Sequence, residues 1–187
     1  MYDLTKRIID ILGAFAGIIL FIPIMVFISF WIKIVSPEGP VFADTPKRVG
    51  KNGKLFFMYK FRSMWPNAHE KMLADPVLSK KYRENNYKLD PDPRLLPGAK
   101  TYRKLSIDEM PQFLNILKGE MSLVGPRPEE LQLVMRYNNW HRKRLMMKPG
   151  LTGPVQVNGR GDLNLRERVL LEVEYMENYS ISRDFEI

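Results

Sequence analysis

The sequence has no cysteine and only two histidines, His69 and His141. That excludes a disulfide scaffold, a thiol nucleophile and a Cys/His zinc site. Whatever chemistry the chain performs belongs to carboxylates and bases. It also lacks internal repeats, low-complexity tracts and any recognised nucleic-acid motif; nucleic acid is a rival partner for its basic charge, and composition alone does not choose between it and anionic lipid. Lys and Arg number 29 against 21 Asp and Glu, a formal net charge of +8 over 187 residues, a length that suits one ordinary domain. A basic chain without nucleic-acid motifs fits anionic lipid or phosphorylated ligands.

The apolar residues are crowded at one end. From Ile11 to Ile32 no side chain is charged, and at about 1.5 Å per residue such a helix is roughly 33 Å long, near the thickness of a hydrocarbon core. No small-residue cleavage site follows, so the segment is expected to be a permanent anchor. Pro23 near its middle removes a backbone hydrogen bond and predicts a kink. Lys6 and Arg7 precede the run, and Lys33, Lys47, Arg48, Lys51 and Lys54 follow it. Two basic flanks favour entry and exit on one face by a bent helix, while a tilted single span with a tolerated proline satisfies the same features. Arg7 and Asp10, three apart, are placed to pair on the helix.

Ser36 to Pro40 is a breaker cluster that separates residues 1–35 from a cytosolic part, 36–187. Beyond it, Asn52-Gly53 predicts a small hairpin between Val41 and Arg62. Pro66 to Tyr87 reads as helix-compatible, with Met72, Leu73, Leu78 and Tyr82 as its apolar contacts. Leu105 to Gly119 reads as a helix whose face is Met110, Phe113, Leu114 and Leu117; Pro111 places its start near Ile107 or Asp108. Met121 to Val124 reads as extended and Gly125-Pro126-Arg127-Pro128 as a stiff turn. Pro128-Glu129-Glu130 opens another expected helix that runs to the basic stretch His141 to Arg144. Lys148 to Pro154 reads as loop, Val155 to Val157 as a brief strand, Asn158 to Gly161 as turn, and Asn164 to Glu177 as a final amphipathic helix.

Asp108 and Glu109 at a helix start complement the helix dipole, and Ser106 with Glu109 fits a capping box. The same position also suits a carboxylate nucleophile beside a phosphate, with the neighbouring carboxylate managing a proton. Lys60, Arg62, Arg103 and Arg127 supply candidate phosphate ligands, although each alone reads equally as a surface charge.

Five ordered motifs carry a resemblance: Lys60-Phe61-Arg62-Ser63-Met64; Leu105 to Gln112; Gly119 to Pro128; Pro149-Gly150-Leu151-Thr152-Gly153; and Gln156-Val157-Asn158-Gly159-Arg160. Together they resemble the bacterial sugar transferase family, the monotopic phosphoglycosyl transferases, over nearly the whole chain. The resemblance implies transfer of a sugar-1-phosphate from a UDP-sugar to a polyprenyl phosphate such as undecaprenyl phosphate, releasing UMP and starting glycoconjugate, exopolysaccharide or O-antigen assembly. It implies Asp108 as nucleophile and Mg²⁺ ligand, Glu109 as base, and Lys60, Arg62, Arg103, Arg127, Gln156, Asn158 and Arg160 as phosphate or nucleotide ligands. Mg²⁺ is the implied cofactor. Phospholipid is an implied partner, nucleic acid is not, and a homodimer is left open. The implied location is the cytoplasmic face of a bacterial inner membrane.

The resemblance also favours a re-entrant helix, although Ile22-Pro23 stands where relatives carry a Ser-Pro pair. Pro154 departs from the small or aliphatic residue common at its position. The expected fold is α/β, mostly helical with a small sheet or hairpin, with a kinked membrane helix and interfacial amphipathic helices. A silent membrane scaffold and a single-displacement enzyme are the rival readings.

Overall fold

The computed structural model describes residues 4–85, 89–159 and 163–187. Helix α1 (Leu4–Val35) is one 32-residue element with Pro23 inside it. Proline there has no N–H to offer the Ile19 carbonyl, yet the helix is assigned on both sides of it. Large apolar side chains from Leu4 to Ile34 remain 41 to 74% exposed, and the helix is long and apolar enough to cross a membrane.

The expected hairpin is β1 (Arg48–Val49) and β2 (Leu55–Phe56), antiparallel around a 3-10 turn in which Asn52 takes φ 56° and Gly53 φ 80°. The Pro66 to Tyr87 stretch forms two helices rather than one, α2 (Ala68–Ala74) and α3 (Pro76–Glu84). The Asp75 side chain accepts from the N–H groups of Val77 and Leu78, and Pro76 opens α3, a start signal inside what read as one run. Tyr87 lies outside the described residues.

Next come α4 (Ala99–Lys104), a 3-10 segment (Ile107–Gln112) and α5 (Phe113–Lys118), which ends as expected at Gly119 with φ 81°. Strands β3 (Ser122–Val124) and β4 (Glu129–Glu130) precede α6 (Leu131–Val134) and α7 (Asn139–Arg142), and a 3-10 turn, Lys143–Met146, leads to β5 (Gly150–Thr152). Helices α8 (Pro154–Val157), α9 (Leu165–Glu177) and α10 (Ile181–Glu186) complete the chain.

Three local expectations are corrected. Gly150–Thr152 is strand, not loop: it pairs in parallel with β3, and a Cβ on Gly150 would lie 2.1 Å from the Gly125 nitrogen, so glycine is what permits the approach. Glu129–Glu130 does not open a helix; it pairs with β1, placing Glu130 opposite Arg48 with an ion pair at 3.0 Å. Val155 to Val157 is helical because Pro154, with φ already set, occupies its first turn.

The chain divides into two compact units, the first being Met1–Phe21, Thr45–Tyr59 and Pro111–Ile187, the second Ile22–Asp44 and Lys60–Met110. In the first unit, the expected Arg7–Asp10 pair is replaced by contacts with later chain. Arg7 donates to the Ile116 and Leu117 carbonyls at 2.6 and 2.8 Å, capping α5, and Asp10 accepts from the Ser122 hydroxyl and Leu123 N–H at 2.8 and 2.9 Å. Lys6, nearly buried, pairs with Asp184 of α10.

The α5 face is also shifted from the expected one. Leu114 is 37% exposed, while Asn115 and Ile116 are fully buried. The 3-10 winding before α5 changes the helical phase. Asn115 is then satisfied by Phe57, Tyr59 and Glu120, at 2.6, 3.0 and 2.7 Å.

In the second unit, Ile28 and Ile32 of α1 pack with Phe61, Leu96, Ala99 and Tyr102 to form its core. Trp31 donates to the Pro97 carbonyl at 2.9 Å. The lipid-like half of α1 is therefore two-faced, one stripe inside a folded core and the other exposed.

Candidate active site

Lys60 lies in an extended stretch clamped on both edges. Its own carbonyl accepts from Ala43 N–H at 2.8 Å, Arg62 N–H donates to Val41, and Phe61 N–H donates to the Asp108 carbonyl at 2.9 Å. The last of these ties the Lys60 segment directly to the residue proposed by sequence as nucleophile.

Asp108 reaches that place through an unusual backbone. Ser106, between α4 and the 3-10 segment, has φ 58°, a left-handed conformation uncommon for a residue with a Cβ. The expected capping box is not what forms: Ser106 is not in the extended backbone of an N-cap, the Glu109 N–H donates to the Ser106 carbonyl at 3.1 Å, and the Glu109 carboxylate turns to Lys60.

Lys60 Nζ stands 2.9 Å from Asp108 Oδ2 and 3.5 Å from Glu109 Oε1. Side-chain exposure is 2% for Asp108 but 14% for Glu109 and 21% for Lys60, so the site is open on the Lys60 and Glu109 side. Unit charges about 4 Å apart interact by about 4 kcal/mol at the effective dielectric of a protein surface. The ammonium thus offsets much of the repulsion between adjacent carboxylates. Tyr102, packed in the same unit, donates its hydroxyl to the Arg62 carbonyl at 2.7 Å; burial, reinforced by Asp108, pushes its phenol up to about 12.

The other sequence-selected residues divide by task. Arg103, exposed in the last turn of α4, lines a cleft with Asp92, Arg94, Leu95, Leu96 and Lys100. Arg94 is committed there to Asp92 at 2.8 Å and Lys100 to Asp90 at 3.0 Å, whereas Arg103 has no ion pair among the described residues. Arg62 is the correction. Its guanidinium is nearly buried, with Nε on the Pro40 carbonyl at 2.6 Å, Nη1 on the Ser36 hydroxyl at 2.8 Å and Nη2 on the Ser36 carbonyl at 2.7 Å. Its donors close the end of α1 and are not arrayed as a phosphate fork.

Three further candidates belong to the first unit. Among the described residues Arg127 has its backbone, not its guanidinium, held by protein: the N–H donates to Glu172 at 2.8 Å and the carbonyl accepts from Arg144 at 2.9 Å. Gln156 buries both amide atoms without a hydrogen-bond partner among the described residues, a penalty of about 1–3 kcal/mol per group that a ligand or water would relieve. Asn158 donates to the Pro154 carbonyl at 2.8 Å, which gives it a role in ending α8. Arg160 lies outside the described residues.

Asp108 and Glu109 also bear on metal binding. Among the described residues no group of three or more His, Asp or Glu side chains could hold an ion. Mg²⁺, however, commonly takes only one or two carboxylates and fills its octahedron with water and substrate phosphates. The Asp108–Glu109 pair, already gathered around one cation at Lys60, fits a metal that arrives with a diphosphate.

A sequence profile described as bacterial sugar transferase matches residues 1–187. The chain is 40% identical over 185 residues to the undecaprenyl-phosphate galactose phosphotransferase of Salmonella typhimurium, covering 97% of this chain and 38% of that protein. It is 38% identical over 185 residues to galactosyl transferase CpsE of Streptococcus agalactiae, 98% of this chain and 40% of the other. With the exopolysaccharide production protein ExoY of Rhizobium meliloti it shares 38% identity over 191 residues, 98% of this chain and 82% of the relative. The chain thus spans about two fifths of the two longer relatives and most of the shorter one.

Proposed function

Because the chain belongs to the bacterial sugar transferase family, we propose that it transfers a sugar-1-phosphate from a UDP-sugar to a polyprenyl phosphate such as undecaprenyl phosphate, the first membrane step in building a polysaccharide. The observation that carries this reading is the bridge of Lys60 across Asp108 and Glu109. An ionised carboxylate must approach a diphosphate of like charge, and a cation at the point of approach lowers that barrier.

In the first step an Asp108 carboxylate oxygen attacks the phosphorus that carries the sugar. The new O–P bond forms as the bridging P–O bond to the inner phosphate breaks, and UMP departs with that electron pair. In the second step an oxygen of the polyprenyl phosphate attacks the same phosphorus, releasing Asp108 and forming the diphosphate-linked lipid, with Glu109 accepting any proton the acceptor phosphate still holds. Lys60 keeps Asp108 oriented before attack and moves to phosphate charge as it develops. Arg103 and Arg127 are assigned to substrate phosphates on their motif positions. Mg²⁺, when bound through Asp108, would neutralise phosphate charge and stabilise the leaving UMP.

The test is UMP release from a panel of UDP-sugars with Mg²⁺, with and without undecaprenyl phosphate. A stoichiometric burst of UMP before acceptor is added, abolished in Asp108→Ala and retained in slower turnover by Glu109→Ala, is the expected result. Release only when acceptor is present would replace two steps by a single displacement, and absence of release with every donor would support a silent scaffold.

The same reading includes a re-entrant anchor. Basic residues flank the charge-free run of α1 on both sides, Lys6 and Arg7 before it and Lys33, Lys47 and Arg48 after it, which supports entry and exit on the cytoplasmic face. Labelling of single cysteines placed at Thr5 and Lys33 from only the cytoplasmic side is the expected outcome; opposite-sided labelling would establish a span.

A further inference from the structure

Three buried charges of the first unit, Glu129, Arg144 and Glu172, converge on one turn. Arg144, 2% exposed, and Glu172, fully buried, form an ion pair. Nη2 of Arg144 donates to Glu172 Oε1 at 2.7 Å, and Nε stands 2.6 Å from Oε2 in an off-axis contact. Arg144 Nη1 also donates to the Tyr137 hydroxyl at 2.6 Å and to Glu129 at 3.4 Å. A buried pair of this kind is weak evidence for stability, because apolar side chains of equal volume commonly do as well.

What apolar side chains could not do is meet peptide groups. The segment Pro126-Arg127-Pro128 contains a single N–H, that of Arg127, since proline has none. That N–H donates to Glu172 Oε1 at 2.8 Å, and the Arg127 carbonyl accepts from Arg144 Nη2 at 2.9 Å. The preceding Pro126 carbonyl accepts from Gly150 N–H at 2.8 Å. One ion pair therefore grips the peptide on both sides of the Arg127 Cα, while the Arg127 guanidinium has no ion pair or hydrogen bond among the described residues.

We propose that Arg144 and Glu172 are positioning residues that fix the Arg127 backbone so that its guanidinium is presented to the donor diphosphate. This rests on the assignment of Arg127 to substrate phosphate above. Holding the main chain rather than the side chain leaves all five guanidinium N–H donors for ligand, and a pre-set fork loses less entropy on binding than a mobile one.

The test is a double-mutant cycle read as UDP affinity, by calorimetric titration of the full chain in lipid nanodiscs with Mg²⁺. Arg127→Lys keeps the charge and removes the fork; Glu172→Gln keeps the shape and removes the ion pair. Each single change is expected to weaken UDP about tenfold, within the roughly hundredfold that an ångström of misplacement can cost. The double variant should be little weaker than either single one, because Glu172 acts through Arg127. Tyr137→Phe, which removes one contact to Arg144, should weaken UDP by about two- to threefold and serves in the cycle if Glu172→Gln fails to fold. A double variant weakened by about a hundredfold, or a folded Glu172→Gln with parental affinity, would overturn the positioning role while leaving Arg127 as a phosphate ligand. Unchanged UDP affinity in Arg127→Lys would instead overturn the assignment of Arg127 itself, independently of the Asp108-dependent release of UMP.

Discussion

The guanidinium of Arg62 closes on Ser36, taking its hydroxyl at 2.8 Å and its carbonyl at 2.7 Å. Ser36 follows directly on α1, whose last carbonyls have no helical partners, so a cationic donor here ends the helix and seals it to the following chain. Arg62→Ala is expected to destabilise the fold by about 3 kcal/mol or more, since charged hydrogen bonds are lost and buried acceptors are left bare. Gly39→Ala should do the same more mildly, by about 1–3 kcal/mol, because its Cβ would sit 2.6 Å from the Arg62 guanidinium carbon. Denaturation in detergent measures both; an Arg62→Ala protein of parental stability would return Arg62 to the phosphate ligands.

Lys60 bears on rate. Lys60→Met, which keeps the aliphatic stem and removes the ammonium, is expected to lower kcat about a hundredfold with a smaller change in KM, the pattern of a charge that acts during phosphoryl transfer. Steady-state UMP release over a range of donor concentrations makes the separation. An effect confined to KM would make Lys60 a ground-state binding group.

The Glu172 carboxyl gives a pH dependence. Burial pushes it up to about 7 against the pull of Arg144 and the Arg127 N–H, with Glu129 adding to the rise. The unfolded chain releases this proton near 4.5. Between about 4.5 and 7 the folded state therefore holds more protons, and stability falls as pH rises through that window, by roughly 3 kcal/mol in total from this group. Arg144, Tyr137, Glu129 and, through Glu129, Arg168 surround it. Glu172→Gln should flatten this part of the stability profile, measured by denaturation at stepped pH; an unchanged slope would assign the dependence elsewhere.

Gln156 is expected to show a trade of stability against binding. Gln156→Leu removes two buried, unsatisfied amide atoms and should raise stability by about 1–2 kcal/mol while weakening UDP-sugar use. Melting temperature and KM of the same preparation decide it. A destabilised variant would mean that the amide already has partners in solution.

The sequence made legible those features that local chemistry dictates. Asn52-Gly53 marked its turn, Gly119 the end of α5, Asn164 the start of α9, and the charge-free run the long apolar helix α1. Lys60, Asp108 and Glu109 were recognisable by motif, and the structure brings these three together. Long-range partners were not legible. Arg144 read only as part of a basic stretch and Glu172 was not singled out within the final amphipathic helix, because nothing local reports that residues 28 positions apart will bury each other's charge. Arg62 was misread for the same reason: its motif position suggested a ligand, and its partners, Ser36 and Pro40, lie over twenty residues upstream. Strands of two or three residues such as β4 and β5 carry too few side chains for alternation to show.

The pairing of Lys6 with Asp184 imposes an order in time. A ribosome delivers Lys6 long before Asp184, so for most of synthesis the Lys6 ammonium lacks this carboxylate. Only when α10 emerges does that charge acquire its partner and become nearly buried. The latch therefore joins the start of α1 to α10, 178 positions later, and a chain halted before Asp184 would leave the Lys6 ammonium without its carboxylate.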